Sequence, residues 1–396
     1  MTKNTPYFLI KEAALEADYD MLYQNLKQYW GNFVIGYSFK TNSLPWLVNF
    51  VKQRGAYAEV VSHDEYLLAK YMGYEDQHII YNGPYKNRES FRAVVQAGGI
   101  LNMDSKAELE WLKELASQNP DREFSVGIRI NFDLEKMCPG ETTMKAESGR
   151  FGFCYETGVA AEAIRTIRKI PNVRLSGLHL HSSSKSRSVK IFESIAAMAV
   201  QLKKEFDLSL SYVDMGGGYC GGMKGRPTYK DYIPAIAGVL KEEFKPEETA
   251  LLVEPGISLI SSSFTFVTSV LDARDIKGNR FLITDGSRFN IDATMIKSSY
   301  FYHVEYQGEK EERKLLPLQQ ITGYTCMEVD RLFQMEDAPE LLPGDRIVYE
   351  NVGGYTMSLN PLFIQYFPDV YVEKGQELIR VREKWGPEQY VQNCSW

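Results

Sequence analysis

Along the first two-thirds of the chain, short runs rich in β-branched and aromatic residues alternate with longer stretches whose apolar residues recur every three or four positions. The short runs predict strands at FVIGY (33–37), YAEVV (57–61), HIIYN (78–82), GGILNM (98–103), FSVGIRI (124–130), LSGLHLH (175–181), SYVDM (211–215) and TALLVE (249–254). The longer stretches, among them LPWLVNFVKQRG, DEYLLAKYMGY, KAELEWLKELASQ and KIFESIAAMAVQLKKEF, have the spacing of amphipathic helices. Such alternation implies parallel strands joined by crossover helices, and the strand number fits a closed (β/α)8 barrel over 30–262. After about residue 260 the texture changes to strand-like runs separated by Gly, Asp and Pro: FTFVTSVLDARD, RFLITDG, KLLPLQQITGY, DRIVYENVGGY and VYVEKGQELIRVRE. With the opening PYFLI these predict a mostly antiparallel β-barrel or sandwich domain made of 1–29 plus 263–396. Residues 133–149 lack periodicity and are expected to form a loop over the barrel mouth.

Composition narrows the function classes. The chain has 396 residues, 44% apolar and 24% charged, with a net charge of −7 that argues against nucleic acid as a partner. No apolar run approaches the roughly 20 residues that cross a bilayer, and no secretory leader is recognised, so no membrane partner is expected. The five cysteines are scattered without CxxC spacing, which suggests a cytoplasmic protein without a metal site or disulfide framework.

In a barrel of this kind, chemistry collects at the C-terminal ends of the strands. Those ends carry Lys40, Glu59 with Ser62, Asn82-Gly83-Pro84, Asp104, Arg129 with Asn131, His181, Gly216-Gly217-Gly218 and Glu254-Pro255-Gly256. Taken singly, each has an ordinary explanation. A lysine after a strand faces water, a histidine sits in a core, and a glycine run makes a turn. Taken as one rim, they include an amine able to bond an aldehyde, glycines whose N–H groups suit a phosphate, and a carboxylate suited to a protonated ring nitrogen.

The motifs YSFKTN, GLHLHSSS, VDMGGGY, VEPG, GYTCMEVDRL and ENVGGYTM resemble, in order, those of the fold-type III pyridoxal-phosphate decarboxylases, which include the diaminopimelate, ornithine and carboxynorspermidine decarboxylases. The resemblance implies a carbon–carbon lyase that uses pyridoxal 5'-phosphate (PLP) and works as a homodimer with shared active sites. Lys40 matches the lysine that bonds the cofactor, and His181 the imidazole stacked on its ring. Ser184, Gly217, Gly218, Gly256 and Tyr355 match phosphate-binding groups, and Glu254 the partner of the ring nitrogen. Glu59, Glu65 and Arg129 match supporting positions, and Cys326 matches the general acid, which in this family enters from the partner subunit. The acidic Glu254 and the cysteine motif separate the chain from alanine racemases, which resemble the group in their barrel.

The chain departs from the family pattern where substrate is read. EPGR is EPGI here, so Ile257 replaces a cation. GPxC is GYTC, and the acidic residue that often follows the cysteine is Met327. These losses disfavour ornithine or lysine. Arg288 and Lys297, with Met327 and Asp330, are candidate substrate contacts for an amino acid or conjugate carrying a distal acidic group, as in siderophore, antibiotic or polyamine biosynthesis. Meso-diaminopimelate decarboxylation for lysine synthesis, and a degenerate PLP-binding protein without activity, are the competing expectations.

Overall fold

The computed structural model describes residues 3–143, 149–182, 184 and 186–395. Two compact units divide the chain: Tyr19–Ser258 form one, and the residues before Tyr19 and after Ser258 form the other. The first division falls inside the helix Glu12–Tyr29 and not at residue 30. Its cause is the second half of that helix: Leu22 and Leu26 are buried, and the following Trp30 donates its indole N–H to the Thr249 carbonyl at 2.9 Å.

The larger unit is a closed barrel of eight parallel strands: β1 Phe33–Ser38, β2 Tyr57–Val60, β3 Ile79–Tyr81, β4 Ile100–Met103, β5 Phe124–Asn131, β6 Val173–His179, β7 Tyr212–Asp214 and β8 Ala250–Val253. Each pairs with its sequence neighbour, and β8 returns to β1 with Leu251 beside Phe33. Helices follow the strands, and their N-caps hold the strand ends in place. Ser62 accepts from the Glu65 N–H after β2, Asn87 from the Glu89 N–H after β3, and Ser105 from the Glu108 N–H after β4.

Period-two alternation builds the barrel interior in layers. Ile80, Tyr212 and Leu252 form a buried cluster with Tyr57 and Ile100 packed against it. A side chain on Gly127 or Gly177 would collide with the Tyr212 ring, so glycine at these two strand positions is what admits a tyrosine to the barrel axis. Two residues further along the same strands stand Glu59, Asn82, Asn102, Arg129, His179, Asp214 and Glu254, all buried. An apolar layer thus floors a polar one at the C-terminal mouth.

Residues 133–149 contain a short helix, Leu134–Met137, followed by Thr142, which pairs with Ser184; residues 144–148 of that expected loop lie outside the described residues. In the smaller unit the N-terminal strand Tyr7–Lys11 joins the sheet as PYFLI suggested. It lies between β9 (Phe264–Ile276, antiparallel) and the parallel strand Asp369–Lys374. The sheet continues from β9 through β10 (Asn279–Thr284), β12 (Leu315–Thr322) and β13 (Arg331–Pro339), while β11 (Phe301–Glu305) pairs with β14 (Arg346–Glu350). Strands β11 and β13 were not expected. Along β11 the side chains are exposed or half-exposed, and β13 mixes charges into both faces, so neither has the alternation that marks a strand. The run VYVEKGQELIRVRE is a hairpin, Asp369–Lys374 (β15) with Glu377–Arg382 (β16).

Candidate active site

Lys40 stands two residues beyond β1, its ammonium 2.7 Å from Glu59 Oε2. The lysine side chain is 38% exposed while its partner is 1% exposed, so a reachable amine is paired with a counter-ion that cannot leave. Lys40 is thus both open to solvent and held by an ion pair at the barrel mouth. Glu65 lies one helical turn on, with Oε2 accepting the Val61 N–H at 2.8 Å. Burial pushes its carboxyl up to about 7, against the pull of that N–H.

The second oxygen of Glu59 accepts from Asn82 Nδ2 at 3.1 Å, and the same nitrogen donates to Glu254 Oε1 at 2.5 Å. Asn102 Nδ2 donates to Asn82 Oδ1 at 2.9 Å and to Asp214 Oδ2 at 3.2 Å, and the Tyr212 hydroxyl donates to Asn102 Oδ1 at 2.8 Å. Burial raises the Glu254 carboxyl, but the imidazole of His179 and the charge of Lys40 outweigh it and hold Glu254 well below the usual carboxylate range. Asp214 moves the opposite way, pushed far up by burial and by the Glu254 charge. The two buried acids thus move apart, Glu254 toward the ionised form and Asp214 toward the protonated one. His179, Asp214 and Glu254 each bring a possible metal-ligand atom within 4.8 Å of the others, but Glu254 already accepts from Asn82, and Asp214 from Asn102 and the Gly216 N–H.

His181 and its neighbours complete the mouth. His181 Nδ1 accepts the Gly217 N–H at 3.1 Å, its carbonyl accepts from Arg129 at 3.4 Å, and Arg129 lies 3.5 Å from Asp104. Gly217 was expected to offer its N–H to a phosphate; that N–H is used by His181, which leaves its place in the cradle as a close backbone approach. A side chain on Gly217 would strike the Glu254 carbonyl, and one on Gly256 would strike Thr41. Ser184 Oγ accepts the Arg187 N–H at 3.0 Å.

The family model for the pyridoxal-binding domain of pyridoxal-dependent decarboxylases matches residues 17–261, most of the chain. The chain belongs to the pyridoxal-dependent decarboxylases. Among curated relatives, a diaminopimelate decarboxylase from Aquifex aeolicus is 26% identical over 362 residues, 89% of this chain and 84% of the relative. The L-glutamyl-[BtrI acyl-carrier protein] decarboxylase of Niallia circulans is 25% identical, over 95% of this chain and 91% of its own. A crystal structure of diaminopimelate decarboxylase from M. jannaschii superposes with a TM-score of 0.86 at 22% identity, over 98% of this chain and 92% of that one. This decarboxylase is therefore a PLP-dependent carbon–carbon lyase with the barrel-plus-β-domain fold of its relatives.

The site fits that cofactor on its own chemistry. A reachable amine on a buried carboxylate, a glutamate held low in pKa at the end of the neighbouring strand β8, and glycines packed too closely for any side chain are the groups an anionic aldehyde with a ring nitrogen requires. His179 adds a buried imidazole, neither of whose nitrogens has a hydrogen-bond partner among the described residues. No helix among the described residues is long and apolar enough to cross a membrane.

The smaller unit carries the remaining expected residues. Cys326 is exposed in the turn between β12 and β13, beside the exposed Met327. Asp330 is not the substrate contact expected of it. It is 2% exposed, Oδ1 accepts from the Ser287 hydroxyl and the Arg288 N–H, and Oδ2 from the hydroxyl and N–H of Thr325. Its work is to tie the cysteine turn to the start of the helix Arg288–Ile291. Arg288 is likewise engaged within its own loop, with Asp292 at 3.1 Å and the Met295 and Lys297 carbonyls at 2.8 and 2.9 Å. Lys297 Nζ donates to the Ile291 carbonyl at 3.1 Å, its N–H donates to Asp292 Oδ2 at 2.9 Å, and burial lowers the ammonium's pKa against the opposing Asp292 charge. Tyr355 is half-buried with φ of 63°, a left-handed backbone rare for an aromatic residue.

The polar ladder of Asn102, Asp214 and Tyr212, and the buried Lys86–Glu108 pair at 2.9 Å, were not singled out from the sequence. Period-two counting back from each strand end would have found the ladder, because every inward-facing last position is polar.

Proposed function

We propose that this enzyme removes the α-carboxylate from an amino acid, or a conjugate of one, whose far end carries an acidic or carboxyl-derived group, in specialised biosynthesis. The observation that carries this reading is a pair of residues: Met327 where many family members hold an acid, and the Lys297 ammonium, whose Nζ donates to the Ile291 carbonyl. The glutamyl–carrier-protein decarboxylase, similar over nearly the whole chain, acts on such a conjugate by its name. PLP, when bound, supplies the electron sink that accepts the charge left at the α-carbon. Lys40 would hold the cofactor with Glu59 as its counter-ion, Glu254 would keep a proton on the ring nitrogen, and the neutral His181 imidazole would offer a flat face to the ring. Gly218, Gly256 and Ser184 would surround the phosphate, Tyr355 is the further phosphate contact that the resemblance implies, and Arg129 supports the His181 loop. Cys326 delivers a proton to the former α-carbon from the second subunit of a homodimer.

Release of carbon dioxide from a panel of meso-diaminopimelate, glutamyl thioesters, ornithine and lysine tests the substrate class. Fastest turnover of ornithine or lysine overturns it. Meso-diaminopimelate decarboxylation is the second reading, favoured by the number of diaminopimelate decarboxylases among the relatives. Complementation of a lysine auxotroph distinguishes the two. Mixing inactive Lys40→Ala and Cys326→Ala chains tests the shared site: recovery of partial activity supports it, and none refutes it.

A further inference from the structure

We infer that Asn82 is the positioning residue that sets both carboxylates of the cofactor site together, and that Tyr212 fixes which way Asn82 faces; the inference rests on the proposed roles of Lys40 and Glu254. One amide nitrogen has two hydrogens, and here both go to carboxylates: Glu59, the counter-ion of Lys40, and Glu254. Both acids are buried, at 1% and 4% exposure, so no water replaces these donors. A carboxamide turned over would point its oxygen at two acids, and an apolar side chain would leave their inner lone pairs unpaired.

The orientation of Asn82 is set from below. Its oxygen accepts from Asn102, whose other hydrogen goes to Asp214 and whose oxygen accepts from the Tyr212 hydroxyl. The Tyr212 hydroxyl reaches up from the apolar layer, and the amide donors of Asn102 and Asn82 pass the series on within the polar layer. The tyrosine can reach Asn102 only because Gly127 and Gly177 vacate the barrel axis. A series of hydrogen bonds thus runs from the apolar floor to the two groups on which the lysine and the ring nitrogen depend. A residue that merely packed would affect stability; this one also governs the alignment of Glu59 with Lys40 and of Glu254 with the ring.

The test uses full-length wild type, Asn82→Leu and Tyr212→Phe, each as apo-protein and after reloading. PLP affinity is measured by equilibrium dialysis, the bound cofactor by its absorbance and circular dichroism bands, and kcat and KM with the best wild-type substrate. Asn82→Leu is expected to weaken PLP binding about tenfold or more, to shift the bound-cofactor bands, and to lower kcat with KM nearly unchanged. Tyr212→Phe keeps the ring and is expected to act in the same direction by about two- to fivefold. Folded variants with wild-type affinity and spectra overturn the inference, and Tyr212→Phe decides alone if Asn82→Leu does not fold. A wild-type chain that binds no PLP removes the proposed function and this inference with it, whereas wild-type binding with unaltered variants removes the inference alone.

Discussion

The Gly217 N–H donates to His181 Nδ1 at 3.1 Å, which leaves the proton of the neutral imidazole on Nε2. Burial first, and the Arg129 guanidinium second, bring the His181 pKa from 6.5 down to about 3. The ring is therefore an uncharged plate over the working pH range, suited to lying against an aromatic face.

That shift fixes a pH dependence. Between pH 6.5 and about 3 the unfolded chain binds a proton at this histidine and the folded chain does not. Stability then falls as pH falls through that window and is unaffected above it. Chemical denaturation of His181→Phe across the window should show a shallower acid slope than wild type. An equal slope refutes the neutral imidazole.

Glu65 works in the opposite sense. Its carboxyl is raised from 4.5 to about 7, chiefly by burial, so the folded chain holds a proton that the unfolded chain has lost. Stability from this group is full below pH 4.5 and is lost as pH rises through about 7. Glu65→Gln should remove that decline and be more stable than wild type at pH 8. Denaturation midpoints at pH 5 and pH 8 check it, and an unchanged difference between them refutes it.

The barrel axis offers a packing test. A methyl group on Gly177 would fall within the Tyr212 ring, and overpacking of this kind costs about 1–3 kcal/mol. Gly177→Ala should lower Tm by several degrees, and Tyr212→Leu in the same chain should recover part of the loss. Additive costs in the double variant would show that the two residues do not compete for that space.

Much of this was legible from residue pattern. The eight barrel strands fall within two residues of the runs that predicted them, because strands buried on both faces carry dense β-branched sequence bounded by turns. Lys40, Glu59, His181 and Glu254 stand at the mouth because the strand ends put them there. Arg288 and Asp330 show why a charge near a motif is a weak guide. Both sit beside the expected substrate region, yet Arg288 is engaged within its own loop and Asp330 ties its turn to Ser287 and Arg288. Whether a charged group faces a ligand or a neighbouring backbone depends on loop geometry, which has no period to read. Asn82 was visible only as part of a turn, since nothing local in IIYNGP reports two acids arriving from other strands.

The Asp330 tie leads to a prediction about the cysteine. Loss of a proton donor typically costs about 10²–10⁴-fold in rate, so Cys326→Ala should lower kcat by that order if Cys326 delivers the proton. Asp330→Ala should lower kcat less, with the turn released from Ser287 and Thr325 but the thiol retained. Single-turnover product analysis checks the pair, and a Cys326→Ala enzyme with wild-type kcat refutes the role.

The Lys86–Glu108 pair makes the last prediction, because its burial decides the sign. The side chains are 0% and 2% exposed. Lys86 also donates to the Gly83 carbonyl at 2.9 Å, and Glu108 accepts the Asp104 N–H at 3.2 Å, so the pair clamps the ends of β3 and β4. Burial pulls the lysine pKa down and pushes the glutamate up, each opposed by its partner's charge. Removing one partner strands the other charge in the interior at a cost of about 3–5 kcal/mol, whereas replacing both by apolar groups of similar volume is often close to neutral. Glu108→Leu alone should therefore destabilise the barrel strongly, and Lys86→Met with Glu108→Leu should recover most of that loss in urea denaturation. The recovered protein should still bind PLP more weakly than wild type, because the Asp104 N–H loses its acceptor and Asp104 is no longer held in place as the partner of Arg129. A double variant as unstable as the single one would mean that the charges themselves, and not their burial unpaired, hold this corner of the barrel.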